Sequence, residues 1–195
     1  MNIYISQMKS AVDGFYTTAK TYAQNVERAK SRYQPDVAAG EVRKLDASLE
    51  AARRGAVSAV KEAQDKGIEA ARRWGSLDGS KITEDTRLLK YEIPAEQFEA
   101  LVERYRDNAS MCFVLAQYAE NHKSEDGAWY SVSRIPTVEA KISAYTRFAD
   151  SAIRIIDSMT GNGWGRGVDS PVVAASVETF GQPDAVNAEM LEIIS

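Results

Sequence analysis

The residues that could do chemistry in this 195-residue chain are few: one cysteine, one histidine, some carboxylate pairs, a glycine run and two arginine pairs. Cys112 and His122 lie ten residues apart in one predicted helix, about 80° off a common face and about 15 Å apart along the axis. A nucleophile and its base must hydrogen-bond, so these two cannot work together within one chain. They read as a buried thiol and a helix-end histidine placed favourably near the C-terminal dipole. One cysteine allows no internal disulfide, and one Cys with one His builds no Cys/His zinc centre. The carboxylate pairs Glu84–Asp85, Glu99–Glu103 and Glu125–Asp126 would need burial to drive two pKa values apart, and nothing in the sequence buries them. No catalytic, cofactor-binding or metal-ligating residue is therefore assigned, and the chain reads as a non-enzyme.

The run GNGWGRG, residues 161–167, resembles a phosphate loop only in composition. It follows a helix instead of a strand and lacks the lysine and serine or threonine of such loops. It reads as a helix C-cap leading into a linker, with Trp164 held between glycines and either docked on the body or offered to a partner. Arg53–Arg54 and Arg72–Arg73 lie along one helix, but Glu50, Glu62, Asp65 and Glu69 are interleaved with them. That pattern argues for a solvated flank over a nucleic-acid surface.

The elements carrying these residues are helical. From Tyr4 to Tyr33 apolar positions fall as Tyr4, Met8, Ala11, then Phe15, Ala19, Tyr22, then Val26, Lys30, Tyr33, each set eleven residues after the last. Gln34–Pro35 breaks the run. A second helix over Asp36 to Trp74 repeats the spacing with Leu45, Leu49, Ala52, then Ala56, Val60, Ala63, then Gly67, Ala71, Trp74. An eleven-residue repeat keeps a seam on one side of a nearly straight helix. The stripes are too narrow for either helix to stand alone, so a hairpin turning near Gln34–Gly40 is expected. Phe15, Tyr22, Val26, Leu45, Leu49, Val60 and Trp74 form its self-association seam.

Gly75–Ser80 is a turn-rich break. Beyond it Pro94 opens a helix bearing Phe98, Leu101, Val102 and Tyr105, and Asn108 caps another bearing Met111, Leu115 and Tyr118. Short alternating runs at Leu89–Ile93 and Trp129–Ile135 predict a small two-stranded ribbon. A long helix from Pro136–Thr137 shows Val138, Ile142, Tyr145, Ala149, Ala152, Ile156 and Met159. The chain is thus expected to be mainly α, with a hairpin arm over 1–75, a compact helical body over 76–160, and a Gly-rich linker with an extended acidic tail over 161–195. The tail ends in a short amphipathic helix whose Met190 and Leu191 are candidate partner contacts.

Charge is divided unevenly. Residues 1–75 carry 13 Lys+Arg against 9 Asp+Glu, and residues 76–195 carry 11 against 19. No stretch reaches the roughly 18 apolar residues of a membrane span, and the start has no secretion signal, so no membrane association and a cytoplasmic location are expected.

KYEIPAEQFEALVERYRDNASMCFVLAQYAENH, followed by IPTVEAKISAYTRFADSAIRIIDSM, resembles uncharacterised coiled-coil proteins of the structural and head-morphogenesis modules of tailed phages and prophages of Gram-positive bacteria. The resemblance covers roughly residues 88–160. It implies a structural or assembly role in the bacterial host cell, virion-associated, with the chain binding itself and another protein such as a coat protein. Scaffolding proteins of such modules often end in a basic coat-binding helix, whereas this tail is acidic. The alternative is a phage-encoded inhibitor or regulator that binds a host protein through an acidic surface.

Overall fold

In the computed structural model, residues 2–122, 135–161, 166–182 and 188–194 are described. They form seven α-helices: α1 (Ile3–Arg32), α2 (Pro35–Trp74), α3 (Ala95–Arg104), α4 (Ala109–Asn121), α5 (Val138–Met159), α6 (Pro171–Thr179) and α7 (Ala188–Ile194). Two 3-10 segments, Gly79–Lys81 and Glu84–Lys90, separate α2 from α3. The mainly-α class and the long hairpin are as the sequence predicts: α1 and α2 pack against each other, and no strand occurs among the described residues. No described helix is long and apolar enough to cross a membrane.

The chain divides into two compact units. The first is Met1–Lys66 with Thr146–Asp184, and the second is Gly67–Tyr145 with Ala185–Ser195. These boundaries differ from the expected 1–75, 76–160 and 161–195 because both α2 and α5 contribute to each unit.

In the first unit α1 starts at Asn2, whose side chain accepts from the Tyr4 amide at 3.0 Å. Its buried residues are Ile5, Met8, Val12, Phe15, Ala19 and Ala29, with Tyr22 and Val26 half-buried between the last two. That is alternating three-four spacing, a heptad, and it corrects the eleven-residue reading of this helix. Ile5, Val12 and Ala29 are the buried residues the longer repeat skips, while its Lys30 and Tyr33 are exposed. In α2 the eleven-residue seam holds: Val60, Ala63, Gly67 and Ala71 are buried, and Leu45, Leu49, Ala52, Ala56 and Trp74 are half-buried.

Phe148, Ala149, Ala152, Ile156 and Met159 of α5 complete this core together with Val173 and Val177 of α6. The expected extended tail is therefore folded where it is described. Pro171 sits in the first turn of α6, Val173 and Val177 share one face at i,i+4, and Phe180 meets Phe148 edge-on at 6.2 Å between ring centroids. Proline and small residues disguised this helix as a linker.

The second unit is built from short elements around Phe98, Leu101, Val102, Cys112, Leu115, Tyr118 and neighbouring apolar groups. Asn108 caps α4 as expected, its Oδ1 accepting from the Met111 amide at 3.2 Å. The two glycines inside α2 differ in kind. A Cβ at Gly55 would have open space, but one at Gly67 would come within 2.8 Å of the Tyr145 ring. Gly75 is likewise closed in, by Val138.

Leu89 lies in the 3-10 segment ending at Lys90, so the first half of the predicted ribbon is not a strand. Glu84 and Asp85 supply negative charge to the first turn of that segment, and Tyr91 leaves it in an extended conformation. Of the other half, residues 129–134 lie outside the described residues.

Candidate interaction surface

Along α3, Gln97, Ala100, Leu101 and Arg104 fall on one side of the helix, as 3.6-residue periodicity requires. Facing them are Leu88, Tyr91, Ile93 and Pro94, and together they line an apolar groove of about 330 Å³ in the second unit. That volume is at the small end of ligand sites, which span roughly 300–1,000 Å³. Tyr91 is 70% exposed and Leu88 49%, so the lip of the groove presents apolar surface to solvent.

Two polar clamps build this groove in advance of any partner. At one, the Tyr118 hydroxyl donates to the Tyr91 carbonyl at 2.9 Å and accepts from the buried Ile93 amide at 3.1 Å. One side chain thereby satisfies two main-chain groups of this segment. The Tyr118 ring stacks between Phe98, at 5.6 Å, and His122, at 4.0 Å.

At the other, the Tyr105 hydroxyl donates to Asp85 at 2.6 Å and accepts from Thr83 Oγ1 at 2.9 Å, while Arg104 donates to Asp85 at 3.1 Å. The Tyr105 hydrogen bond, with help from Arg104, lowers the Asp85 pKa below its ordinary value. Ser110, the buried polar residue of α4, accepts from the Asp78 amide at 2.8 Å and ties the preceding turn to the same helix.

A second apolar recess of about 240 Å³ lies between Trp74, Leu77, Phe113 and Val138. Trp74 is half-buried there, with Lys141 Nζ 4.6 Å from its ring centroid. Lys141 also donates to the Ile193 carbonyl at 2.6 Å, and Ile194 is buried, which fixes α7 within this unit. Burial lowers the Lys141 pKa. Met190 and Leu191 are half-buried on the same helix, whereas Trp164 lies outside the described residues.

The seam residues are already engaged within the chain. Phe15 and Val60 are buried, and Tyr22, Val26, Leu45 and Leu49 are half-buried. Tyr22 donates to Asp46 at 2.5 Å, which together with partial burial raises the phenol pKa to about 12. From Gln24 to Lys44 only Ala29 and Ala38 are buried, leaving Tyr33 at 51% and Val37 at 54% exposure around the hairpin turn.

The chemically suggestive residues have structural roles. Cys112 is buried, its thiol donates to the Tyr105 carbonyl at 3.2 Å, and desolvation pushes its pKa up to about 11, far from that of a nucleophile. His122 closes α4, its Nδ1 2.8 Å from the Tyr118 carbonyl. Arg53 is held by Asp157 at 2.6 Å and by Glu50 at 3.3 Å, so it is not displayed for a phosphate backbone. Among the described residues no three His, Cys, Asp or Glu side chains are grouped to hold a metal ion.

Sequence reasoning placed Phe98, Leu101 and Leu115 in the body but missed the groove. Its signal was present as the exposed pair Leu88 and Tyr91 next to Pro94, obscured by a ribbon reading of the same residues. No family model, no curated protein and no solved structure matches the chain.

Proposed function

We propose that this protein is a non-enzymatic assembly protein that binds proteins, itself included, in the head morphogenesis of a phage. The observation carrying the binding part is the apolar groove over α3, clamped into shape by Tyr118 and Tyr105 and lipped by exposed Leu88 and Tyr91. A preformed apolar groove with a polar rim is suited to receiving a side chain or helix from a partner at little ordering cost. The phage setting rests on the resemblance of residues 88–160.

Because Phe15 and Val60 are spent inside the first unit, self-association falls to residues left exposed. Static light scattering at high micromolar concentration tests it: the expected result is a mass that rises above the monomer with concentration, and a constant monomer mass overturns it. A second reading, a phage-encoded inhibitor that binds a host protein, is favoured by the exposed carboxylates Glu96, Glu99 and Glu103 of α3. It predicts a monomer that recovers one stoichiometric host protein from lysate.

A further inference from the structure

We propose that the occupant of the α3 groove is the hairpin tip of a second copy of this chain, so that copies join head to tail. The inference rests on the assembly reading and names the surfaces it uses. The two surfaces are complementary in shape class and in charge. The tip offers two exposed apolar side chains close in sequence, Tyr33 and Val37, on either side of the break at Pro35. The groove offers an apolar floor of Ile93 and Leu101 with exposed Leu88, Tyr91 and Pro94 at its lip.

Around the tip, from Gln24 to Lys44, Lys30 pairs with Glu27 and Lys44 with Glu41. That leaves Arg28, Arg32 and Arg43 as exposed cations against one carboxylate, Asp36. Around the groove, from Glu84 to Arg106, the guanidiniums are taken by Glu84, Asp85 and Glu103. That leaves exposed Glu92 in the groove lining, with exposed Glu96 and Glu99 beyond it on α3, against one ammonium, Lys90.

Each surface thus carries the unpaired excess the other lacks. Charges this exposed add little affinity but steer the encounter and select the orientation. Apolar burial supplies the affinity, and a tip this narrow stays below the roughly 1,000 Å² of a stable interface, which makes the contact weak and concentration-dependent. Tip and groove are different patches, so each contact joins unlike surfaces of two copies.

The test uses two full-length variants, Tyr33→Asp at the tip and Tyr91→Asp at the lip. Both positions are exposed, and circular dichroism checks that each variant folds. In sedimentation equilibrium the wild type is expected to rise in mass above the monomer as concentration rises, and each variant alone to associate at least about tenfold more weakly. An equimolar mixture is expected to form a 1:1 heterodimer and nothing larger, because it contains one working tip and one working groove. Wild-type growth that neither variant reduces overturns the tip-in-groove contact and leaves the assembly function standing. A mixture that does not recover association shows a symmetric contact and overturns it too. A wild type that stays monomeric overturns both.

Discussion

The two units are held together by different means. The first is held by repetition: α1 presents Ile5, Met8, Val12, Phe15 and Ala19 at alternating threes and fours, and α5 and α6 close over that stripe. The second has short helices and 3-10 segments, and it relies on single side chains that tie backbone to backbone. Tyr118 holds Tyr91 and Ile93, Ser110 holds Asp78, and Asn108 donates to the Lys81 carbonyl at 2.7 Å. A periodic seam spreads its energy over many weak contacts, whereas a pinned turn concentrates it in a few hydrogen bonds.

Truncating one aromatic in each unit gives the largest expected effects and the most direct attack on this contrast. Phe15→Ala and Phe98→Ala, both at buried positions, should each cost about 3–5 kcal/mol in urea unfolding. Hydrogen exchange should rise mainly in α1 and α6 for the first and in α3 and α4 for the second. Equal loosening of all four helices by either variant would erase the energetic distinction between the units.

The α2 glycines sharpen it further, because the same substitution should change sign. Gly67→Ala drives a methyl into the Tyr145 ring and should cost about 1–3 kcal/mol. Gly55→Ala meets nothing and should stabilise by about 0.5–1 kcal/mol through better helix propensity. Denaturant midpoints of the two variants moving in the same direction would contradict the packing described for Gly67.

Tyr118→Phe isolates a polar pin. It keeps the ring stacked on Phe98 but leaves the buried Ile93 amide without the hydroxyl, at a cost of about 1–3 kcal/mol. Exchange of the Ile93 amide should accelerate, and an unchanged rate would mean the hydroxyl does not hold the lip.

The smallest effect concerns acid. The folded-state pKa of Asp85 is lowered, so its contribution to stability is present above the unfolded carboxylate value of about 4 and disappears as pH falls through the folded value. Asp85→Asn should therefore remove a small part of the stability difference between neutral and acid pH. An unchanged pH profile of the urea midpoint would show that the Tyr105 and Arg104 contacts are not coupled to folding.

How far the sequence discloses each unit follows from the same contrast. The α2 seam, the Asn108 cap and the apolar face of α5 were legible because periodicity and capping are local properties of the chain. The heptad of α1 was harder to see, since Met8, Phe15, Ala19, Tyr22 and Val26 satisfy both spacings and only Ile5, Val12 and Ala29 separate them. Helix α6 was hidden by its small residues.

The groove was legible only as the apolar residues Leu88 and Tyr91 beside Pro94, and its shape was not. Its shape depends on Tyr118 reaching a backbone 25 residues upstream at Ile93 and on Tyr105 meeting Asp85 20 residues before it. Pairings of that kind leave no repeat in the sequence. Leu89, Tyr91 and Ile93 alternate as a strand would, but Leu89 lies in a 3-10 segment and the Tyr118 hydroxyl bonds both the Tyr91 carbonyl and the Ile93 amide.

Cys112 turns this protein into its own stopwatch. It is the chain's one sulfhydryl, it is 1% exposed, and it lies among the side chains of the second unit. A disulfide-exchange dye can reach it only when that unit opens, so the rate of colour development in native buffer times the opening without any introduced label.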